Sequence, residues 1–214
     1  MSIIFQNRKE IEHLIVDCLN NKNDYISSTS LSSTRAVGDA IEELVGENLE
    51  NLLKGKISEY SAEFARRAMA DLAFNDIEGN FYRVDVKTHR ESTVFNMPNL
   101  TSVERIARFY EDDSNFFSIM MFKYEIEQSK IKVKRCMFIP VEFLSWDCLT
   151  IGALGWGQIQ IANANKILIE ETQTRKDWMI KLCDNMLSFY PKEILKINKR
   201  ISHFEEVRNK WINK

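Results

Sequence analysis

ADLAFNDIEGNFYRVDVK, residues 70–87, is the stretch from which the rest of the chain is read. Residues 70–75 and 81–87 alternate apolar and polar side chains, the period of a half-buried strand, and DIEGN at 76–80 is a turn-type cluster between them. A hairpin centred near Glu78 sets Asp71 opposite Asp85, because the two numbers are symmetric about that centre. Lys87, two residues beyond Asp85, shares its face, while Leu72, Phe74, Val84 and Val86 make the other face apolar.

Like charges facing each other across a strand pair repel, with cross-strand terms of roughly 0.2–1 kcal/mol. A divalent cation turns that repulsion into a binding site. Mg²⁺ takes one or two carboxylates, keeps several waters and completes its shell from a phosphate. Such a metal polarises a phosphoryl oxygen and acidifies a bound water, and a neighbouring ammonium stabilises the charge that develops. The pattern therefore points to metal-dependent phosphodiester hydrolysis. A solvated hairpin face with ordinary Asp and Lys side chains has the same pattern, so these three residues do not decide alone.

At 214 residues and 44% hydrophobic, the chain is long enough for one sizeable core. It has no apolar run long enough to span a bilayer, and MSIIFQNRKEIEHL lacks the apolar segment of a signal peptide, so a cytoplasmic protein is expected. Cys18, Cys136, Cys148 and Cys183 are scattered without CxxC spacing, which suggests reduced thiols and neither a zinc site nor a disulfide framework. A net charge of −2 argues against indiscriminate coating of nucleic acid but leaves a DNA enzyme open, since local fields matter more. Basic residues gather at 83–90, 130–135 and 192–200. The last two read as solvated faces, and the first is the exception because it overlaps the carboxylate cluster; acidic residues gather at 39–50, on a helix expected to lie away from them.

Apolar spacing predicts helices over 7–20, about 35–53 and 60–68, with a polar, Ser-rich loop between 20 and 34. TSVE at 101–104 reads as a capping box opening a helix through Tyr110, and TRKD at 174–177 as a second, opening a helix to about Tyr190. Pro191 is expected to restart helix toward the C-terminus. Residues 116–126 and 131–141 are strand-like runs joined at Gln128 and Ser129, and QIQI at 158–161 is a short strand after a flexible Gly-rich segment at 152–157. The expected class is α/β (α+β), a mostly antiparallel, mixed central sheet flanked by helices. One domain over 1–214 is expected: an N-terminal helix and loop (1–34), a core (35–170) and C-terminal helices (171–214).

Asp71 followed by Asp85-Val-Lys87, after an acidic helix, resembles the PD-(D/E)xK nuclease fold of many type II restriction endonucleases, and within it the HincII-type blunt-cutting branch. VGDAIEELV at 37–45, DVKT at 85–88, Pro98-Asn99, the QIQ strand at 158–160 and a long two-helix C-terminus occur there in the same order, so the resemblance covers most of the chain from about residue 34. Ala70 replaces the family-wide Pro, which that branch also lacks, and GALGWG at 152–157 lacks the polar residue that reads the outer base pairs there.

The resemblance implies that Asp71 and Asp85, aided by the Val86 carbonyl, hold Mg²⁺, and that Lys87 orients or activates the attacking water. Glu42 matches a helical glutamate that supports the site, although a solvated charge beside Glu43 and Glu47 looks the same. DNA contacts are implied for Asn96, Met97 and Asn99, for Thr88, His89 and Arg90, and for Gln158 and Gln160. Asn96 occupies the position that pushes into the base stack, and is equally a loop residue ahead of a proline. The expected activity is cutting of both strands of a short palindromic DNA duplex by a homodimer, with a cognate DNA methyltransferase as functional partner. A structure-specific repair or junction-resolving nuclease on the same fold is the alternative, and a non-catalytic DNA-binding module a third reading. Small-molecule metalloenzymes are disfavoured by dispersed histidines (His13, His89, His203) and the absence of a Gly-rich phosphate cradle.

Overall fold

The hairpin at 70–87 forms, and a mixed sheet is built around it. The computed structural model describes residues 2–22, 26, 27, 30–61 and 70–214. Strands β1 (Ile57–Ser61), β2 (Leu72–Asp76) and β3 (Phe81–Arg90) run antiparallel in succession. Strand β4 (Asn99–Ser102) and helix α4 (Val103–Phe109) then carry the chain across to β5 (Asn115–Glu127), which lies parallel to β3 and hairpins into β6 (Lys130–Pro140). The order is β1-β2-β3-β5-β6. β5 and β6 turn over Gln128 and Ser129, both at positive φ (47° and 60°), as a two-residue hairpin between right-twisted strands requires. The sheet is therefore mixed, with its one parallel pair at the strand that carries Asp85 and Lys87.

Both faces are covered, which is why β5 reads as a nearly continuous apolar run. Tyr82, Val84, Val86, Met120 and Phe122 pack on one side against α1 (Ile3–Gln6), α2 (Arg8–Asn21) and α3 (Thr34–Leu52). Phe117, Ile119, Met121 and Ile139 face the other side, where α4, β7 (Leu149–Gly152), β8 (Gln158–Ile161) and the start of α5 (Arg175–Ile212) close a second core. β4, β8 and β7 form a separate three-stranded sheet in that order. Trp178 is fully buried, and its indole N–H donates to the Leu144 carbonyl at 3.1 Å. Among the described residues no helix is long and apolar enough to cross a membrane.

Several elements depart from the sequence expectation. The helix expected over 60–68 does not include Tyr60 and Ser61, which pair with Phe74 and Ala73 in β1–β2; residues 62–68 lie outside the described part. Asn20 and Asn21 belong to α2 and not to the Ser-rich loop, because Asn20 bonds both the N–H and the carbonyl of Val133. Thr34 likewise opens α3, behind a Ser33 cap. The cap of α4 is Ser102, accepting from the Arg105 N–H at 3.3 Å, while Thr101 is drawn into β4. The C-terminus is one helix, not two: α5 is capped by Thr174 as expected but runs through Pro191 without a break. Proline costs an exposed helix one hydrogen bond and about 3 kcal/mol, yet its fixed φ is helical.

Candidate active site on the β2–β3 hairpin

The turn is what sets the site. Asp76 Oδ1 accepts from the backbone N–H groups of Glu78 and Asn80, both at 2.9 Å, and Oδ2 accepts from the Asn80 amide and the Tyr82 hydroxyl, also at 2.9 Å. Gly79 supplies the positive φ, 85°. The pairs Leu72↔Val84 and Phe74↔Tyr82 that result centre the hairpin on Glu78, so Asp71, next along β2, falls level with Asp85. Asp71 Oδ2 accepts from the Val86 N–H at 2.7 Å, and its own N–H donates to the Val84 carbonyl at 3.0 Å.

Asp85 is buried, 4% exposed, beside the second core. Its Oδ1 accepts from Lys87 Nζ at 2.6 Å, and Nζ also lies 3.4 Å from the Val86 carbonyl. Among the described residues, the buried Oδ2 has no hydrogen-bond partner. Burial pushes the Asp85 carboxyl up to about 7; Lys87 opposes that shift, and the nearby charges of Asp71 and Glu42 add to it. Glu42 thus belongs to the site. It lines, with Val86, Lys87, Thr88, Arg90 and Asn96, a cleft of about 500 Å³. The acidic helix is therefore not remote from the basic run of 83–90, as its composition suggested, but packed against it. Gly38 permits the approach: a Cβ there would lie 3.0 Å from Thr88 Oγ1.

Among the described residues no three His, Cys, Asp or Glu side chains converge as a ready-made ligand set. What is present suits a hard cation that keeps its waters: a buried, unpartnered carboxylate oxygen, a second carboxylate on the neighbouring strand and a backbone carbonyl. Asp71, Asp85 and Val86 are the residues that would hold Mg²⁺. The chemistry of the donors fits the ion.

The residues expected to meet DNA divide into groups. Thr88, Arg90 and Asn96 line the cleft, and Met97 is exposed beside it. His89 does not present its ring to solvent. It is 1% exposed, with Nε2 2.8 Å from Asn165 Oδ1 and Nδ1 3.5 Å from the Asn96 amide, so it holds the 93–98 loop in place. That is a correction to its expected role as a contact, and its cause is local: His89 shares a face with Asp85 and Lys87, but Asn165 and Asn96 close over its ring. Asn99 and Gln160 lie on the smaller sheet, paired Asn99↔Gln160, with the Gln160 amide donating to Asn99 Oδ1 at 2.6 Å. Gln158 sits at the end of the same strand, opposite Gly152 and Ser102. Sequence reading missed Arg35, Asp39 and Tyr124 in the cleft and Asn165 behind it, and no local pattern marks them. No protein-family model matches this chain, and no curated protein matches it either.

Proposed function

We propose that the protein is a Mg²⁺-dependent endonuclease of the PD-(D/E)xK type, a type II restriction endonuclease that hydrolyses both strands of a short palindromic DNA site. The observation that carries this reading is the buried Asp85, one oxygen held by Lys87 and the other without a partner among the described residues, level with Asp71. That is a poor arrangement for a structural carboxylate and a good one for a ligand.

When bound, the metal would acidify a water and polarise a phosphoryl oxygen. The chain's own residues do the rest. Asp71 and Asp85 would hold the metal that receives the scissile phosphate, and the Asp76 turn locks the register that sets them level. Lys87, anchored on Asp85, directs its ammonium into the cleft, where it orients the attacking water and stabilises charge on the phosphorane-like transition state. The water oxygen bonds to phosphorus and the P–O3′ bond breaks, leaving a 5′-phosphate and a 3′-hydroxyl. Glu42 adds negative charge that keeps the site selective for cations. Resemblance to the HincII-type branch supports blunt ends. A palindromic target implies a homodimer, a cytoplasmic location beside the cell's DNA, and a methyltransferase that protects the host sites.

Digestion of a supercoiled plasmid of known sequence, followed by sequencing of the ends, tests the reading. Mg²⁺ should give discrete fragments with 5′-phosphates at one recurring sequence, and EDTA or Asp85→Ala should abolish them. Cutting that persists in EDTA sinks the metal-dependent mechanism. Cuts that follow junctions or damage, and not sequence, would move the protein to the structure-specific repair class.

A further inference from the structure

Helix α5 continues about 40 Å beyond the last side chain it buries in the second core, Met186. Because it passes through Pro191 unbroken, residues on both sides share one helical register. In that register Leu187, Ile194 and Ile201 recur every seven residues, and so do Tyr190, Ile197, Phe204 and Trp211, offset by three. These are the a and d positions of a heptad repeat, sustained for more than three heptads. All seven side chains are between 38% and 75% exposed. The body-facing stripe of the same helix, Trp178, Leu182 and Met186, is a different one. A groove of about 440 Å³ beside the seam, lined by Tyr190, Ile197 and the 73%-exposed Trp156, extends the apolar surface onto the body of the protein.

We infer that this seam is the dimer interface: α5 pairs with α5 of a second copy as a parallel, two-stranded coiled coil. Charge at the flanks fits a second copy of the same helix. In a parallel pair each g residue faces the e residue of the partner's next heptad. Arg200 then meets the partner's Glu205, Val207 meets the partner's Ile212 and Glu193 meets the partner's Asn198, so no like charges face each other at these flanks. An antiparallel pair centred on residues 194–197 sets Glu193 against the partner's Arg200 but Asp184 against the partner's Glu205, so its attraction and its repulsion offset. Branched Ile194 and Ile201 sit at a, as in two-stranded parallel coils, with Tyr190, Phe204 and Trp211 in place of leucine at d. Arg208, the last a residue, meets the partner's Arg208 and costs stability where the seam ends. The outward positions Lys192, Lys196, Lys199 and Lys210 keep the paired helices soluble. The inference supplies the interface for the homodimer proposed above and does not depend on the cleavage chemistry.

Sedimentation equilibrium of the full chain, without DNA or metal, tests it. The wild type should be a dimer. Ile194→Glu with Ile201→Glu should give a monomer that keeps the near-ultraviolet circular dichroism of the packed Trp146 and Trp178 pair and loses only the contribution of Trp211 at the seam. Arg200→Glu alone and Glu205→Arg alone should each weaken dimerisation by about tenfold, and the two together should restore it. A wild-type monomer, one that binds anionic vesicles included, overturns the inference. So does a dimer that survives the double glutamate variant, or a charge swap that fails to rescue. Because mass is read and not cleavage, such a failure leaves the metal-dependent cleavage chemistry standing, although a wild-type monomer would also remove the homodimer implied by a palindromic target. A stable dimer without cleavage would overturn only the nuclease reading.

Discussion

Asp85 is the residue for which the fold makes the largest sacrifice. Its folded carboxyl is raised from the usual 3.8 to about 7, so the folded protein holds a proton that the unfolded chain has already released. In chelator, the stability this group contributes is fully present below about pH 4 and is lost as pH rises through about 7. Asp85→Asn removes the charge and keeps the shape. Thermal melts in EDTA should therefore show a higher Tm for the variant at neutral pH and a flatter profile between pH 4 and 7. Equal melting curves for the two proteins would mean that Asp85 is not strained in the metal-free state. Lys87 makes the complementary case, since an ammonium that stabilises developing charge acts in the transition state. Lys87→Ala should lower the single-turnover rate by roughly 10²–10³-fold with little change in DNA affinity. An unchanged rate would reduce Lys87 to a counter-ion. Asp71, Asp85 and Lys87 were legible in the sequence because strand alternation and a short turn fix their relation. His89 was not, since its partners Asn165 and Asn96 come from loops whose approach no local pattern encodes.

At the scale of elements, legibility followed burial. α2 and α3 each bury one stripe, and their spacing announces them. β1, with mostly exposed or half-buried residues at the sheet edge, has no alternation to read, and it was missed along with the four-residue β7. Thr101 has the right chemistry for a cap, but pairing in β4 claims it, and the cap moves one residue on. Gly157 links the elements behind the site. It has φ 132°, its carbonyl accepts from the Val103 N–H at the start of α4, and a Cβ would fall 2.9 Å from Val103 Cγ2 and 3.1 Å from Met186 Cε of α5. Gly157→Ala therefore meets both backbone strain and a clash, and should destabilise by roughly 1–3 kcal/mol. Urea unfolding would register this as a lower midpoint at constant m. A midpoint equal to that of the wild type would show that the segment relaxes freely.

Over the whole molecule, the two sheets divide the work. The five-stranded sheet carries Lys87 in the lining of the cleft and the buried Asp85 beneath it, with Asp71 just ahead of β2, and the three-stranded sheet carries Asn99 and Gln160. The sequence separates the two roles, metal and catalysis at Asp71, Asp85 and Lys87 and DNA contact at Asn99 and Gln160, but no alternation marks residues 99–102 as a strand that pairs with β8 away from the main sheet. The separation has a kinetic consequence if the smaller sheet reads bases and the larger one cuts. The amide pair Asn99–Gln160, joined at 2.6 Å, holds donors and acceptors in a fixed relation, as recognition of a base edge requires. Each well-placed pair of contacts to a base discriminates by about 1–3 kcal/mol. Asn99→Ala and Gln160→Ala should therefore relax sequence preference by roughly 10–100-fold and weaken binding, while the single-turnover rate at saturating DNA falls far less. Lys87→Ala should do the reverse, slowing the cut at unaltered preference. Competition between plasmid sites, read by end sequencing alongside single-turnover kinetics, separates the two effects. If the amide variants lost rate at saturation as steeply as Lys87→Ala while keeping the wild-type site preference, the smaller sheet would be a support for the cleft and not its reader.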